Sequence, residues 1–473
     1  MKTKLLLTSL VVLFFSHYNY AQDITLKKGV IIDSLNIINV EGETFALYLP
    51  KNYENKGTWP LFVAIDVNGK GAEVITKFRA AAEEHNYVLI APNTLKDTIG
   101  LDENVKKIGR AINTGTGLFN INSSRIYVGG FDAGARLANV IPIIYNSVSG
   151  VLACGATFAN TELITRKNPF HFIGIVGKED FTYTEILETE KLLNRLKFDN
   201  NILSFNGGKE WPSLELLSKG FQYFTLRAMA RDFATKDSTF ISSSFLNDFN
   251  AVASLEREGK KLMAYRALIE MQNAYRDLKP IDSIENRIKA LKKDKDFRQL
   301  NRNQEAAFFK EEFLKEDYQF ALEDDILTYN YNNLGWWNYQ IKELQKFVNG
   351  KTLAEQQMGK RLIGFINAIV ADQIDLFKAN AEVDDEAVIL LSMLKTIVAP
   401  KDYNYYLDVI ALSSKYEEYG TAIFYLEELL KNGFKDKDKL YNLEHTALLR
   451  IMPEYNDLIA EYLTDARYEI KEE

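Results

Sequence analysis

The segment Arg125-Ile-Tyr-Val-Gly-Gly-Phe-Asp-Ala-Gly-Ala-Arg136 constrains this chain more than any other. Apolar residues run as a short strand into Gly130-Phe-Asp-Ala-Gly134, and a helical pattern follows over residues 133–145. Glycines on both sides of one residue at a strand-to-helix junction mark a sharp turn with no room for flanking side chains. The residue held at that turn is Asp132. A strand delivered this way needs a sheet to join and a helical layer to cover it.

The surrounding sequence supplies both. Short apolar runs lie at 45–49, 61–65, 87–90, 126–128, 150–153, 172–176 and 202–205. Several are rich in β-branched or aromatic residues and nearly continuous in hydrophobicity, as expected of strands buried on both faces. Helical patterns fall between them, near 73–85, 101–114, 133–145, 183–197 and 213–231. Strand and helix in alternation predict an α/β fold with a doubly wound, mostly parallel sheet.

After Ser242 the pattern changes. Strand-like runs stop, and apolar residues recur at spacings of three and four with Lys, Glu and Asp between them. Leu262, Tyr265, Leu268 and Ile269 trace one such face, and Leu362, Ile366 and Ile369 another. Residues 405–415 and 421–431 form a helix pair broken at Tyr419-Gly420, and a second break follows at Asn432-Gly433-Phe434. This pair resembles a tetratricopeptide-type hairpin without a strict 34-residue repeat. The expected organisation is a leader at 1–21, an α/β domain at 22–238 and a helical, tetratricopeptide-like domain at 239–473. The junction falls in the Ser-rich stretch 237–244.

Four pieces in order carry a family resemblance. Asp66-Val-Asn-Gly-Lys-Gly71 follows one strand and Gly130-Phe-Asp-Ala-Gly134 ends another. Gly177-Lys-Glu-Asp-Phe181 follows a later strand, and Gly207-Gly-Lys-Glu-Trp-Pro212 comes last. Over residues 47–226 the chain resembles the secreted α/β-hydrolases related to polyhydroxybutyrate depolymerases and feruloyl esterases. The resemblance implies that Asp66, Asn68, Gly69 and Ala133 mark a former oxyanion-hole region. It further implies that residue 132 takes the nucleophile's position, Asp180 the triad acid and residue 209 the triad base.

Two of those three positions depart from the pattern. The nucleophile is normally Ser and here is Asp132; the base is normally His and here is Lys209. Dehalogenases and epoxide hydrolases of this fold do use Asp at the elbow, but they need a His to activate water. None of the four His residues fills that role. His17 leaves with the leader, His445 belongs to the helical half, and His85 and His171 precede strands at the far end of the sheet. Lys209 is no substitute, because Asp132 and Asp180 would hold it as ammonium rather than lower its pKa. The relic positions Asp132, Asp180 and Lys209 are therefore expected to be non-catalytic. Asp132 and Lys209 should form a salt bridge, with Asp180 close enough to share the ammonium. A hydrolase working through these same three residues is the alternative reading, and a pocket for a cationic ligand is a third.

The address follows from the first residues. Met1-Lys-Thr-Lys4, an apolar run to Phe15 and a small residue at Ala21 read as a cleavable signal peptide. Export to the periplasm or beyond is expected, and the only cysteine, Cys154, is too distant to take a lipid at a mature N-terminus. Cys154 reads as a buried hydrophobe in a central strand. The net charge is −8, and no basic stripe offers itself to phosphates, so nucleic acid is not an expected partner. No cofactor and no metal is expected, since no His/Cys/Asp grouping has ligand spacing. Gly69-Lys-Gly71 reads as a turn rather than a phosphate loop. The aromatic group Tyr329, Tyr331, Trp336, Trp337 and Tyr339 reads as packing between helices. The function these features predict is that of an exported, inactive hydrolase homologue that binds a protein partner in the cell envelope.

Overall fold

The computed structural model describes residues 26–463; the expected signal peptide lies outside them. Eight strands form one sheet: β1 (Ile31–Asn36), β2 (Thr44–Tyr48), β3 (Trp59–Ile65), β4 (Val88–Pro92), β5 (Ile121–Phe131), β6 (Val148–Cys154), β7 (His171–Gly177) and β8 (Asn200–Phe205). Their order across the sheet is β1-β2-β4-β3-β5-β6-β7-β8. β1 and β2 pair antiparallel, as do β2 and β4, and every other neighbouring pair is parallel. This is the α/β-hydrolase arrangement, mostly parallel and doubly wound. Seven strands lie where apolar runs were expected. β1 was missed because its sequence, IIDSLN, carries polar residues on an exposed edge and has no continuous apolar run.

Both faces of the sheet are covered, which explains the unbroken hydrophobicity of its strands. Leu61, Val63 and Ile65 of β3 face one core, while Phe62 and Ala64 face the other. The first core is covered by α2 (Leu101–Leu118), α3 (Ala133–Ile144) and α4 (Tyr183–Leu196). The second is covered by α1 (Gly71–His85) and α5 (Leu214–Ala230), with Phe78 and Phe221 packed on Phe62. Cys154 is fully buried in β6, and burial pushes its thiol well up.

From residue 238 the described chain is helical: α6 (Ser238–Arg257), α7 (Lys261–Tyr275), α8 (Asp282–Lys293), α9 (Lys295–Thr328), α10 (Leu334–Val348), α11 (Leu353–Ala379), α12 (Asp385–Val398), α13 (Tyr403–Lys415), α14 (Tyr419–Lys431), α15 (Lys437–Tyr441) and α16 (Pro453–Tyr462). Their starts are set by local side chains. Asp237 accepts from the backbone of Thr239 and Phe240, and Thr352 with Glu355 forms a capping box on α11. Helices α6 to α8 do not stand apart. Leu268, Met271 and Tyr275 join the same core as Phe221. Later helices build separate cores, one around Trp337, Leu362 and Leu394, the next around Leu407, Leu426 and Tyr455. Among the aromatics, Trp337 is buried and donates to Asp325, whereas Tyr339 is exposed.

The helical half also closes the sheet edge at β8. The buried Glu270 of α7 accepts from Ile202 N at 2.9 Å and from Asn201 Nδ2 at 2.8 Å. Arg266 links Glu270 to Glu190 on α4. A strand edge left open would be a template for other chains, so this cover has a clear physical value. No helix among the described residues is long and apolar enough to cross a membrane.

Candidate functional site

The elbow forms as its glycines require. β5 ends at Phe131, α3 starts at Ala133, and Asp132 between them holds φ 50° and ψ −119°. For a residue with a side chain this is a strained conformation, worth roughly 1–3 kcal/mol, and it persists only where the surroundings enforce it. They do so by close packing. A Cβ on Gly130 would lie 2.6 Å from the Ile65 carbonyl oxygen, and one on Gly134 would collide with the same atom. The backbone N–H of Asp132 is held by the Cys154 carbonyl at 2.9 Å. The turn thus presents the Asp132 side chain at the C-terminal edge of the sheet.

Lys209 reaches this side chain from the loop after β8. Its Nζ lies 2.6 Å from Asp132 Oδ1, with each side chain about one-third exposed (32% and 38%). The ammonium also sits 4.9 Å from the centre of the Phe181 ring, a cation–π contact. The loop beneath is tightly seated, with Glu179 N donating to the Gly207 carbonyl at 2.8 Å. Trp211 stacks on Phe131, ring centres 5.0 Å apart, and so locks the end of the loop to the elbow strand.

Asp180 is placed differently from the expectation. It is 2% exposed, and its Oδ1 accepts from Thr182 N at 3.0 Å. Its Oδ2 has no hydrogen-bond partner among the described residues. It forms no ion pair with Lys209 within 4.0 Å, so the two carboxylates do not share the ammonium at contact distance. An ammonium has three donors and can bridge two acids, as Lys261 does between Asp294 and Asp296, so it is position and not donor count that keeps Lys209 off Asp180. Burial pushes the Asp180 carboxyl above its usual range, opposed by the backbone hydrogen bond from Thr182 and by the Lys209 charge.

The remaining expected residues divide. Asp66 follows β3 and lies against the elbow, its Cα 3.7 Å from where a Gly134 Cβ would sit. Its carboxylate is occupied in closing the turn, accepting from Asn68 N at 2.9 Å and Lys70 N at 3.3 Å. Gly69, at φ 69°, packs against the backbone of Asn93, and Asn68 is exposed. Ala133 opens α3, where the first backbone N–H groups have no acceptor within the helix. His85 and His171 lie far from these groups. His85 bonds Ser218 and His171 bonds Asn201, and burial pushes His171 down to about 4.

Sequence reasoning missed how the helical half grips the loop that carries Asp180. Arg361 of α11 donates to the Lys178 carbonyl at 2.7 Å and pairs with Glu311 of α9, both side chains being 1% exposed. Lys315 of α9 donates to the Phe181 carbonyl and to Thr184 Oγ1, each at 3.0 Å. Lys360 pairs with Glu179 at 2.9 Å. Lys178 itself is buried without an ion-pair partner among the described residues, and burial, with the nearby Arg266 charge, pushes its ammonium down to about 8. The only hint in the sequence is that Glu311 and Arg361 interrupt otherwise apolar helix faces.

No protein-family model and no curated protein matches the chain. Solved structures do. S-formylglutathione hydrolase FrmB of Staphylococcus aureus is 12% identical, with 42% of this chain and 98% of that chain covered and a TM-score of 0.35. Est1E of Butyrivibrio proteoclasticus is also 12% identical, covering 42% of this chain and 100% of its own, at 0.33. A hyperthermophilic esterase of Pyrobaculum calidifontis is 13% identical, covering 43% and 87%, at 0.36. Likenesses at this identity and TM-score carry nothing about activity, and the fold is read from the strand order and the elbow.

Proposed function

We propose that this protein is an exported, non-hydrolytic α/β-hydrolase homologue that acts as a scaffold or binding protein in the cell envelope, periplasmic or secreted. One observation carries the reading. Lys209 is engaged with Asp132, while the Asp180 Oδ2 is left without a partner. Hydrolysis by this fold needs a nucleophile, a base that takes its proton and an acid that orients the base. Here the would-be nucleophile is a carboxylate neutralised by the would-be base, and the acid orients nothing. The grip of Arg361, Lys315 and Lys360 on the loop 177–184 supports a structural use of the old catalytic edge, as the seat of a second half.

The alternative is an esterase-like hydrolase using Asp132, Lys209 and Asp180. The strained φ of Asp132 favours it, since this is how the fold presents a nucleophile. The missing base weighs against it. Assay of the purified protein with short-chain chromogenic esters decides between them. No turnover above buffer is expected, and turnover abolished by Asp132→Asn would establish the alternative.

A further inference from the structure

Helix α9 is 34 residues long and packs by one face only. Its buried face carries Phe297, Ala307, Tyr318 and Leu322. On the opposite side Phe309, Phe313, Phe320 and Leu327 are 64%, 53%, 73% and 80% exposed. Steps of four and seven residues separate them, so they form one stripe. Together they leave on the order of 500 Å² of apolar surface in water, in the range of the largest apolar patch on a typical soluble protein, which is often functional.

The charges along the stripe identify what would cover it. Arg298 and Arg302 continue it towards the N-terminal end, and Glu316 and Glu323 lie within it towards the C-terminal end, all exposed. None of the four has an ion-pair partner among the described residues. Glu305, about five turns before Glu323 on the same line, is exposed as well, but Arg298 and Arg302 leave the first third net basic. A net basic first third with an acidic last third is complementary to the same helix laid antiparallel. A parallel copy would set like charges against each other, and an anionic membrane would be repelled by the acidic end.

We infer that α9 is a homodimer interface, in which two copies of the chain pack their α9 stripes antiparallel about a two-fold axis. With Arg302 of one copy opposite Glu323 of the other, the axis passes beside Phe313. The two Phe313 rings then meet at the centre, and each Phe309 ring, 4.7 Å from Phe313 and edge-on to it within one copy, lies beside the Phe313 of the other copy. Basic and acidic ends flank this aromatic cluster on both sides. An interface of this kind is isologous, each patch meeting itself. It is independent of whether the elbow is catalytically dead.

The test is the sedimentation of the exported full-length chain, followed by variants of exposed residues that should leave the thermal melt unchanged. A dimer is expected, and Phe313→Glu should raise its dissociation constant at least about tenfold. Arg302→Glu alone and Glu323→Arg alone should each weaken the dimer, and the two together should restore it, which a merely apolar contact would not do. Phe313→Cys should give a disulfide-linked dimer under mild oxidation, because Cys154 is fully buried. A chain that stays monomeric, a dimer indifferent to these changes, or a monomer that uses α9 only to bind a different protein would each overturn the inference.

Discussion

Arg361 and Lys178 are joined by one hydrogen bond, 2.7 Å from the guanidinium Nη1 to the backbone carbonyl oxygen. The donor belongs to the helical half and the acceptor lies two residues before Asp180. Because Arg361 is at the same time paired with the buried Glu311, the loop at the old catalytic edge and the core of the helical half share one polar network. A fully buried pair of this kind is held by its remaining hydrogen bonds as much as by its charges.

Removing one member of that network should therefore be costly. Arg361→Met is expected to lower stability by about 3 kcal/mol, since Glu311 is left buried with only Lys315, 3.4 Å away, to compensate it. Arg361→Met combined with Glu311→Leu should recover more than half of the loss. Urea unfolding of the parent and the two variants measures this, and a double variant no more stable than Arg361→Met would show that relief of the stranded Glu311 charge contributes nothing.

The pair at the elbow should be weaker. Asp132 and Lys209 are each about one-third exposed, so solvent screens them. A double-mutant cycle of Asp132→Asn and Lys209→Met should give a coupling of about 0.5–1 kcal/mol, the range of partly exposed pairs. Strict additivity in thermal melts would mean that the contact contributes nothing.

Asp180 predicts a pH effect of definite sign. Its folded carboxyl is raised by burial, so the folded state holds the proton more tightly than the unfolded chain. Stability from this group is greatest at low pH and is lost as pH rises from the unfolded value, about 4, through the folded one. Asp180→Asn should remove that slope and be neutral or stabilising at neutral pH. A variant less stable than the parent at neutral pH, with its slope unchanged, would place the ionised carboxylate in a favourable role.

His171 works in the opposite direction. Burial lowers it to about 4, so the unfolded chain takes up the proton first as pH falls. Stability present above about 6.5 should be lost between there and about 4, by up to about 3 kcal/mol. His171→Gln should flatten unfolding midpoints across that window, and an unchanged acid limb would assign the loss to other groups.

The seven apolar runs and the Gly-x-Asp-x-Gly turn made the sheet and its elbow legible from sequence, because strand burial and glycine's missing Cβ are local requirements. Those requirements also brought Lys209 to Asp132, since loops at the same sheet edge meet wherever the sheet forms. Strand β1 escaped notice because an exposed edge strand needs no apolar run. The choice Lys209 made between two carboxylates was likewise open, for it depends on which acid is buried and which is within reach of a single ammonium. Nothing in the sequence singles out partners for Glu311, Arg361 or Glu270, because those partners are set by the packing of the helical half against β8 and the loop 177–184. Periodicity along a chain records which face of an element is apolar. It does not record which charges will find partners across a long-range contact, because that pairing is set only when distant segments pack and exclude water.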